Sequence, residues 1–205
     1  MKSLTFETVD WDHVYSLLLE IADRVKERGV EPDIIVGISR GGLLPARILS
    51  DLLDNPHLAN IKVNFYVDVY QTKEAPVITQ PVSTSVKDKR VLVVDDITDS
   101  GQSFRLVWET LVQEAAEVKA VTLYHKPWSC FTPDIYARET EAWVIFPWEY
   151  RETMKKLGTR LLEEGKSLVE VEAALVGIGL KAPLVRRFVQ ELFGNQEHDR
   201  ATGIP

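Results

Sequence analysis

The sequence predicts an α/β fold, a mostly parallel sheet flanked by helices, with a small helical extension after it. Three observations carry this expectation. Asp33 to Gly37, Arg90 to Val94 and Val118 to Tyr124 are short apolar runs without polar alternation, the pattern of strands buried on both faces of a parallel sheet. Between them lie segments whose apolar residues recur at helical spacing, so strand and helix alternate at least three times, which implies right-handed crossovers. Two of the strands run straight into loops of small residues, at the carboxyl edge where such sheets bind ligands.

In chain order, a short extended Leu4-Thr5-Phe6 precedes Trp11, Val14, Tyr15, Leu18, Ile21, Ala22 and Val25, which recur as one face of a first helix, with Gly29 as its stop signal. After the Asp33 to Gly37 strand, Leu43 to Leu53 resumes helical periodicity, and Pro45 is tolerated in the first turn. Ile61 to Val69 alternates as a strand with Val63, Phe65 and Val67 on one face. From Tyr70 to Val86 no period survives, and the prolines at 76 and 81 predict a long loop, either a cover for a site or an insert. Behind the Arg90 to Val94 strand, Phe104, Leu106, Val107, Leu111, Val112 and Ala115 mark another helix. Ala142 to Glu149 is a short extended segment with Trp143, Phe146 and Trp148. Beyond Tyr150 the chain becomes charged and helical: Arg151 to Glu164, then a capping box at Ser167 and Glu170, then Pro183 to Phe193. The expected organisation is a main domain over 1–150, a helical appendage over 151–194 and a frayed tail over 195–205.

With 205 residues, 45% of them hydrophobic, the chain can fill one domain and a small appendage. A formal charge of −7 argues against nucleic acid and anionic membrane as partners, because both reward a basic face. Cys130 is the only cysteine, so no intrachain disulfide forms, and it is expected to pack rather than react. No run approaches the ~20 apolar residues of a membrane span, and the expected location is the cytoplasm.

The most informative stretch is Val91 to Ser103. A β-branched strand runs into Asp95 and Asp96, then Ile97-Thr98-Asp99-Ser100-Gly101-Gln102-Ser103, then a helix. Carboxylates accept hydrogen bonds from hydroxyls, and unpaired N–H groups at a helix start hold a phosphate, so the pattern suits a sugar phosphate. Ser39-Arg40-Gly41-Gly42 is a second loop of this kind: glycines let the backbone close on an anion and the guanidinium offers a forked donor set. A tight turn with a solvated arginine has the same sequence. Lys73 is the candidate phosphate contact in the long loop, although a solvated surface lysine is the ordinary alternative. Lys126 ends a strand at the ligand-binding edge, where an exposed lysine is equally ordinary. The aromatics around Trp143 either stack on a planar base or pack a core.

Together these residues resemble the type I phosphoribosyltransferases, and more closely their purine (xanthine, hypoxanthine, guanine) branch. Val91 to Ser103 is similar to that family's phosphoribosyl diphosphate (PRPP) motif, Ser39 to Gly42 to its pyrophosphate loop, and Lys126 with Trp143 to Glu149 to its base-binding hood. The resemblance covers roughly residues 10 to 150 and leaves the C-terminal helices outside; Ser100 stands where many members have threonine. It implies that Asp95 and Asp96 hold the ribose hydroxyls and, through them or water, Mg²⁺. It implies that Ile97 belongs to the PRPP ribose and 5-phosphate site, that Thr98 to Ser103 wrap the 5-phosphate, and that Ser39, Arg40, Gly41, Gly42 and Lys73 meet the pyrophosphate. Asp99 would face the imidazole nitrogens of the base as positioner or proton acceptor. Trp143 would stack on the purine, Lys126 would donate to its 6-oxo group, and Val144 and Glu149 would read the 2-position.

The implied reaction is purine salvage, transfer of phosphoribosyl from PRPP to a 6-oxopurine by a homodimer or larger homo-oligomer. Two alternatives stay open at this level. One is a PRPP- or nucleotide-sensing regulator on the same fold, with Lys181, Arg186 and Arg187 facing DNA or a partner. The other is a phosphoribosyltransferase for a different base.

Overall fold

The computed structural model describes residues 5–67 and 74–202. The chain folds as two compact units, one from Val14 to Glu141 and the other from Met1–His13 together with Ala142–Pro205. Its elements begin with β1 (Phe6–Thr8), α1 (Trp11–Glu27), β2 (Ile34–Ser39), α2 (Leu43–Leu52), β3 (Leu58–Val67), β4 (Glu74–Gln80) and β5 (Arg90–Thr98). Then follow α3 (Gln102–Leu111), β6 (Glu117–His125), β7 (Ile135–Glu139), β8 (Trp143–Ile145), α4 (Tyr150–Glu163), α5 (Leu168–Gly177) and α6 (Ala182–Thr202). Among the described residues no helix is long and apolar enough to cross a membrane.

The larger unit is the α/β fold the sequence predicts. Its sheet runs β4-β3-β2-β5-β6-β7, and every pair is parallel except β3 with β4. Ile34, Val36 and Ile38 of β2, Val91 and Val93 of β5 and Ala120 of β6 share one core with Phe104, Val107 and Leu111 of α3. The intervening residues Ile35, Leu92 and Val94 are just as buried, which is why these strands are apolar throughout. Each of the three α3 side chains contributes about 1.5–3 kcal/mol by burial. α1 ends as expected at Gly29, whose φ of +65° accompanies the Val30 N–H to Val25 carbonyl bond (3.1 Å) of a left-handed cap.

The chain passes from β2 outward to β3 and returns on the other side of β2 as β5. The crevice beyond the carboxyl ends of β2 and β5 is therefore a topological switch point, the favoured ligand site of open parallel sheets. Gly37 pairs with Val94, so the loops leaving these two strands start side by side.

One expectation is corrected. The stretch Tyr70 to Val86, expected as a patternless loop, contains β4, which pairs antiparallel with β3 through Val63 with Ile78 and Phe65 with Pro76. β4 lies at the sheet edge, where a proline costs no ladder bond and one face stays wet, so neither signal excluded a strand. Lys73 and its neighbours at 68–72 lie outside the described residues.

In the smaller unit β1 pairs parallel with β8, Phe6 opposite Trp143 and Thr8 opposite Ile145. Ile145 shares a core with Met154 of α4, Val171 and Leu175 of α5, and Val185, Val189 and Phe193 of α6. The capping box forms: Ser167 Oγ accepts from the Glu170 N–H (3.3 Å), and the Glu170 carboxylate accepts from the Ser167 N–H (2.9 Å).

Candidate active site

β5 does not stop at Val94 but continues through Thr98, with Asp95 opposite Thr122 and Ile97 opposite Tyr124. The two carboxylates are thus held on a strand within the sheet. Being adjacent in a strand, they leave opposite faces of it. The Asp96 carboxylate is buried and lies against the β2–α2 loop: a Cβ added to Gly41 would fall 2.3 Å from its Oδ2. Asp95 is half-buried, and its Oδ1 accepts from the Asp96 N–H (3.0 Å).

Asp95 also lines a hollow of about 120 Å³ with Ile97, Thr98, Asp99, Ser100, Gly101 and Ser103, closed by Phe65 and Phe104. This hollow sits at the start of α3, whose cap Gly101 has φ +78° and offers no side-chain hydrogen bond. No acidic residue occupies the first turn. A helix start of that kind leaves backbone N–H donors and the positive end of the helix dipole facing the hollow, which suits a phosphate. Ser100 Oγ accepts weakly from the N–H of Gln102, the exposed first residue of α3 (3.4 Å). The Thr98 hydroxyl is buried and shared with His125 Nδ1 (2.9 Å).

The second loop closes over the same edge. Gly42 is packed so tightly that an added Cβ would lie 2.3 Å from the Val94 carbonyl oxygen, and its N–H donates to Ile38 (2.8 Å). Ser39 Oγ accepts from Asn60 Nδ2 (3.3 Å), the Ser39–Arg40 peptide is cis, and Arg40 is exposed. The Ser39 to Gly42 loop therefore meets the end of β5 at Val94 to Asp96.

Lys126 joins them, but not as an exposed strand-end residue: it is only 3% exposed. Its N–H donates to the Thr98 carbonyl (3.0 Å), and the Cys130 N–H donates to the Ser100 carbonyl (3.0 Å), so residues 126–130 are clipped onto the loop at 98–101. Gly101 makes the fit possible, since a Cβ there would fall 2.3 Å from Ser129 Oγ. Phe131 stacks on Phe104 of α3 at 5.1 Å and completes the clip. Cys130, expected to pack, has its side chain exposed.

Trp128 is the residue that sequence reasoning passed over. Its indole N–H donates to Asp99 Oδ1 (3.0 Å), and the Lys126 ammonium lies 5.4 Å from its ring centre. The available signal was a large aromatic two residues after a candidate ligand-binding lysine.

Trp143, Val144 and Glu149 belong to the smaller unit. Trp143 is half-exposed, and with Phe6, Glu149, Thr153 and Leu157 it lines a groove of about 310 Å³. The Trp143 N–H donates to the Thr5 carbonyl and the Ile145 carbonyl accepts from the Val9 N–H. Because strand groups alternate, the Val144 N–H and C=O are directed to the other side of β8, while its side chain is buried. Glu149 stands at the start of α4, where its carbonyl accepts from the Thr153 N–H (2.8 Å).

Residues 10–154 match the family described as phosphoribosyl transferase domain. The xanthine-guanine phosphoribosyltransferase of Cereibacter sphaeroides is 35% identical over 150 residues, covering 69% of this chain and 85% of its own. That of Gluconobacter oxydans is 31% identical over 152 residues, covering 72% and 87%. The crystal structure of a purine phosphoribosyltransferase from Pyrococcus horikoshii is 38% identical, with a TM-score of 0.64 over 71% of this chain and 94% of that one.

Proposed function

The chain belongs to the phosphoribosyltransferase family, and from that premise we propose that it transfers the 5-phosphoribosyl group of PRPP to a 6-oxopurine (xanthine, hypoxanthine or guanine). A purine nitrogen forms the new bond to the anomeric carbon while the bond to the pyrophosphate oxygen breaks, giving the nucleoside monophosphate and pyrophosphate. The observation that carries the reading is the meeting of the Asp95–Asp96 edge, the open helix start at Gly101 and the Ser39 to Gly42 loop at one switch point.

In this reading Asp95 and Asp96 hold the ribose hydroxyls, the residues from Ile97 to Ser103 take the 5-phosphate, and the Arg40 loop takes pyrophosphate, with Lys73 adding charge. The transition state carries positive charge on the ribose and negative charge on the leaving group, so these donors act by electrostatic stabilisation. Asp99 faces the imidazole side of the base and holds or accepts its proton. Lys126, a donor only, favours an acceptor oxygen at the 6-position over an amino group. Trp143 stacks on the purine, and the Val144 backbone and Glu149 read its 2-position.

Mg²⁺ fits this donor set. Among the described residues no cluster of three or more His, Cys, Asp or Glu forms a metal cage. A pair of carboxylates beside a phosphate site is what a strongly hydrated cation uses, since it keeps waters and binds substrate oxygens. Bound with PRPP, it supplies positive charge against the departing pyrophosphate.

Pyrophosphate release from Mg-PRPP, measured with xanthine, hypoxanthine, guanine and adenine in turn and with chelator added, tests the reading. Faster turnover of adenine than of all three 6-oxopurines overturns the base assignment. Binding of PRPP without release for any base favours a sensor instead. A cytoplasmic homodimer or larger assembly is part of the proposal, and light scattering of the purified protein tests the oligomer.

A further inference from the structure

Trp128 has no part in the assignments above, yet its surroundings give it one. Pro127 and Trp128 are the central residues of a tight turn closed by the Ser129 N–H on the Lys126 carbonyl (2.9 Å). Proline sets the φ of the first central position, so the turn fixes where the indole leaves the backbone. The side chain does not serve the core, since Trp128 is 55% exposed. Its polar atom is nevertheless committed, to Asp99 Oδ1 at 3.0 Å, and its ring lies 5.4 Å from the Lys126 ammonium. One side chain therefore touches both groups of this unit assigned to the base.

Resting on the phosphoribosyltransferase reading, we propose that Trp128 is a positioning residue that sets specificity for the base. The indole N–H pins one oxygen of Asp99 and leaves the other for the imidazole side of the purine. The ring face attracts the ammonium of Lys126, a cation held in a buried, weakly solvated position where such attraction is strongest. Fixing the carboxylate relative to the ammonium favours bases that present an acceptor at the 6-position and an imidazole nitrogen at matching separation. The turn is clipped to the phosphate loop through Thr98 and Ser100, so the same unit ties base recognition to the bound phosphoribosyl group.

The test compares wild type, Trp128→Phe and Trp128→Ala in steady state, with hypoxanthine and adenine as acceptors and thermal melts alongside. Trp128→Phe keeps a ring face and loses the N–H. It is expected to lower kcat about tenfold by freeing Asp99, with KM for PRPP unchanged. Trp128→Ala loses both and is expected also to raise KM for hypoxanthine roughly tenfold and narrow the preference for hypoxanthine over adenine. Wild-type constants in both variants overturn the proposal. Equal rises in KM for PRPP and purine, with a matching fall in melting temperature, also overturn it by making Trp128 structural. A wild-type protein that releases no pyrophosphate overturns the functional reading itself, and this proposal with it.

Discussion

Gly41 and Asp96 are in such close approach that no side chain fits between them: an ideal Cβ on Gly41 would sit 2.3 Å from Oδ2 and 2.5 Å from Cγ of the aspartate. Asp96 is 6% exposed, so its carboxylate has little room to swing aside. Gly41→Ala is therefore expected to displace Asp96 while leaving the sheet intact. A displacement near 1 Å at a reacting centre costs about 100-fold in rate, so kcat/KM should fall by that order with a near-native melting temperature. Wild-type kinetics in Gly41→Ala would show that Asp96 need not stay where it is.

The acidic pair itself is tested by Asp95→Asn combined with Asp96→Asn. Amides preserve shape and some hydrogen bonding but remove the charge proposed to order ribose hydroxyls and a hydrated cation. Most transfer activity should be lost while circular dichroism and melting stay close to wild type. Near-normal turnover would remove the pair from the mechanism.

Gly101 answers a different need. It combines φ +78° with backbone atoms of residues 130 and 131 within 3.0 Å of where a Cβ would stand. Gly101→Ala is expected to cost about 1–3 kcal/mol from the left-handed conformation and crowding. Because the turn at 126–130 is pushed off the loop at 98–101, proposed to hold the 5-phosphate, KM for PRPP should rise along with the loss of stability. A variant that melts like wild type would mean that the clip yields easily.

For Trp143, half-exposed on β8, the expected outcome is selective. Trp143→Ala should raise KM for the purine by about five- to tenfold, the scale of a lost aromatic stacking contact, and leave KM for PRPP unchanged. An equal rise in both would point to a structural role for this side chain instead.

How much of this was readable in the sequence depends on how local the information is. The strand, acidic pair, glycine turn and helix of Val91 to Ser103 are contiguous, and the Ser167 capping box is complete within four residues, so both are legible. The Gly41–Asp96 approach is not, because it arises from the parallel pairing of β2 with β5, strands separated in sequence by β3 and β4. β4 was hidden because Pro76 and the exposed residues of an edge strand carry the composition of a loop. The burial of Lys126 was hidden for another reason: the turn that follows folds back onto Thr98 and Ser100, and nothing in residues 125 to 128 announces that partner.

Two exposed carboxylates, neither among the residues proposed to meet substrate, contribute to the response to acid. Asp33 takes the Arg90 N–H (2.8 Å) and its guanidinium (2.8 Å), which lowers the carboxyl from 3.8 to about 2. Glu170 is lowered from 4.5 to about 2, first by the Ser167 backbone N–H and then by Lys166 and the Ser167 hydroxyl. In each case the folded state favours the ionised form, so the unfolded chain takes up protons first as pH falls. Their stabilisation is complete above the ordinary carboxylate values and is lost progressively from pH 4.5 down to about 2. Both groups are exposed, so added salt should shrink the effect. Chemical denaturation across that window should show stability falling with pH in wild type, and a shallower fall in Asp33→Asn, which has no carboxyl to titrate while its backbone N–H still reaches the Arg90 carbonyl (2.8 Å). An unchanged slope in Asp33→Asn would mean that the Asp33–Arg90 pair persists in the unfolded chain or never constrains the proton.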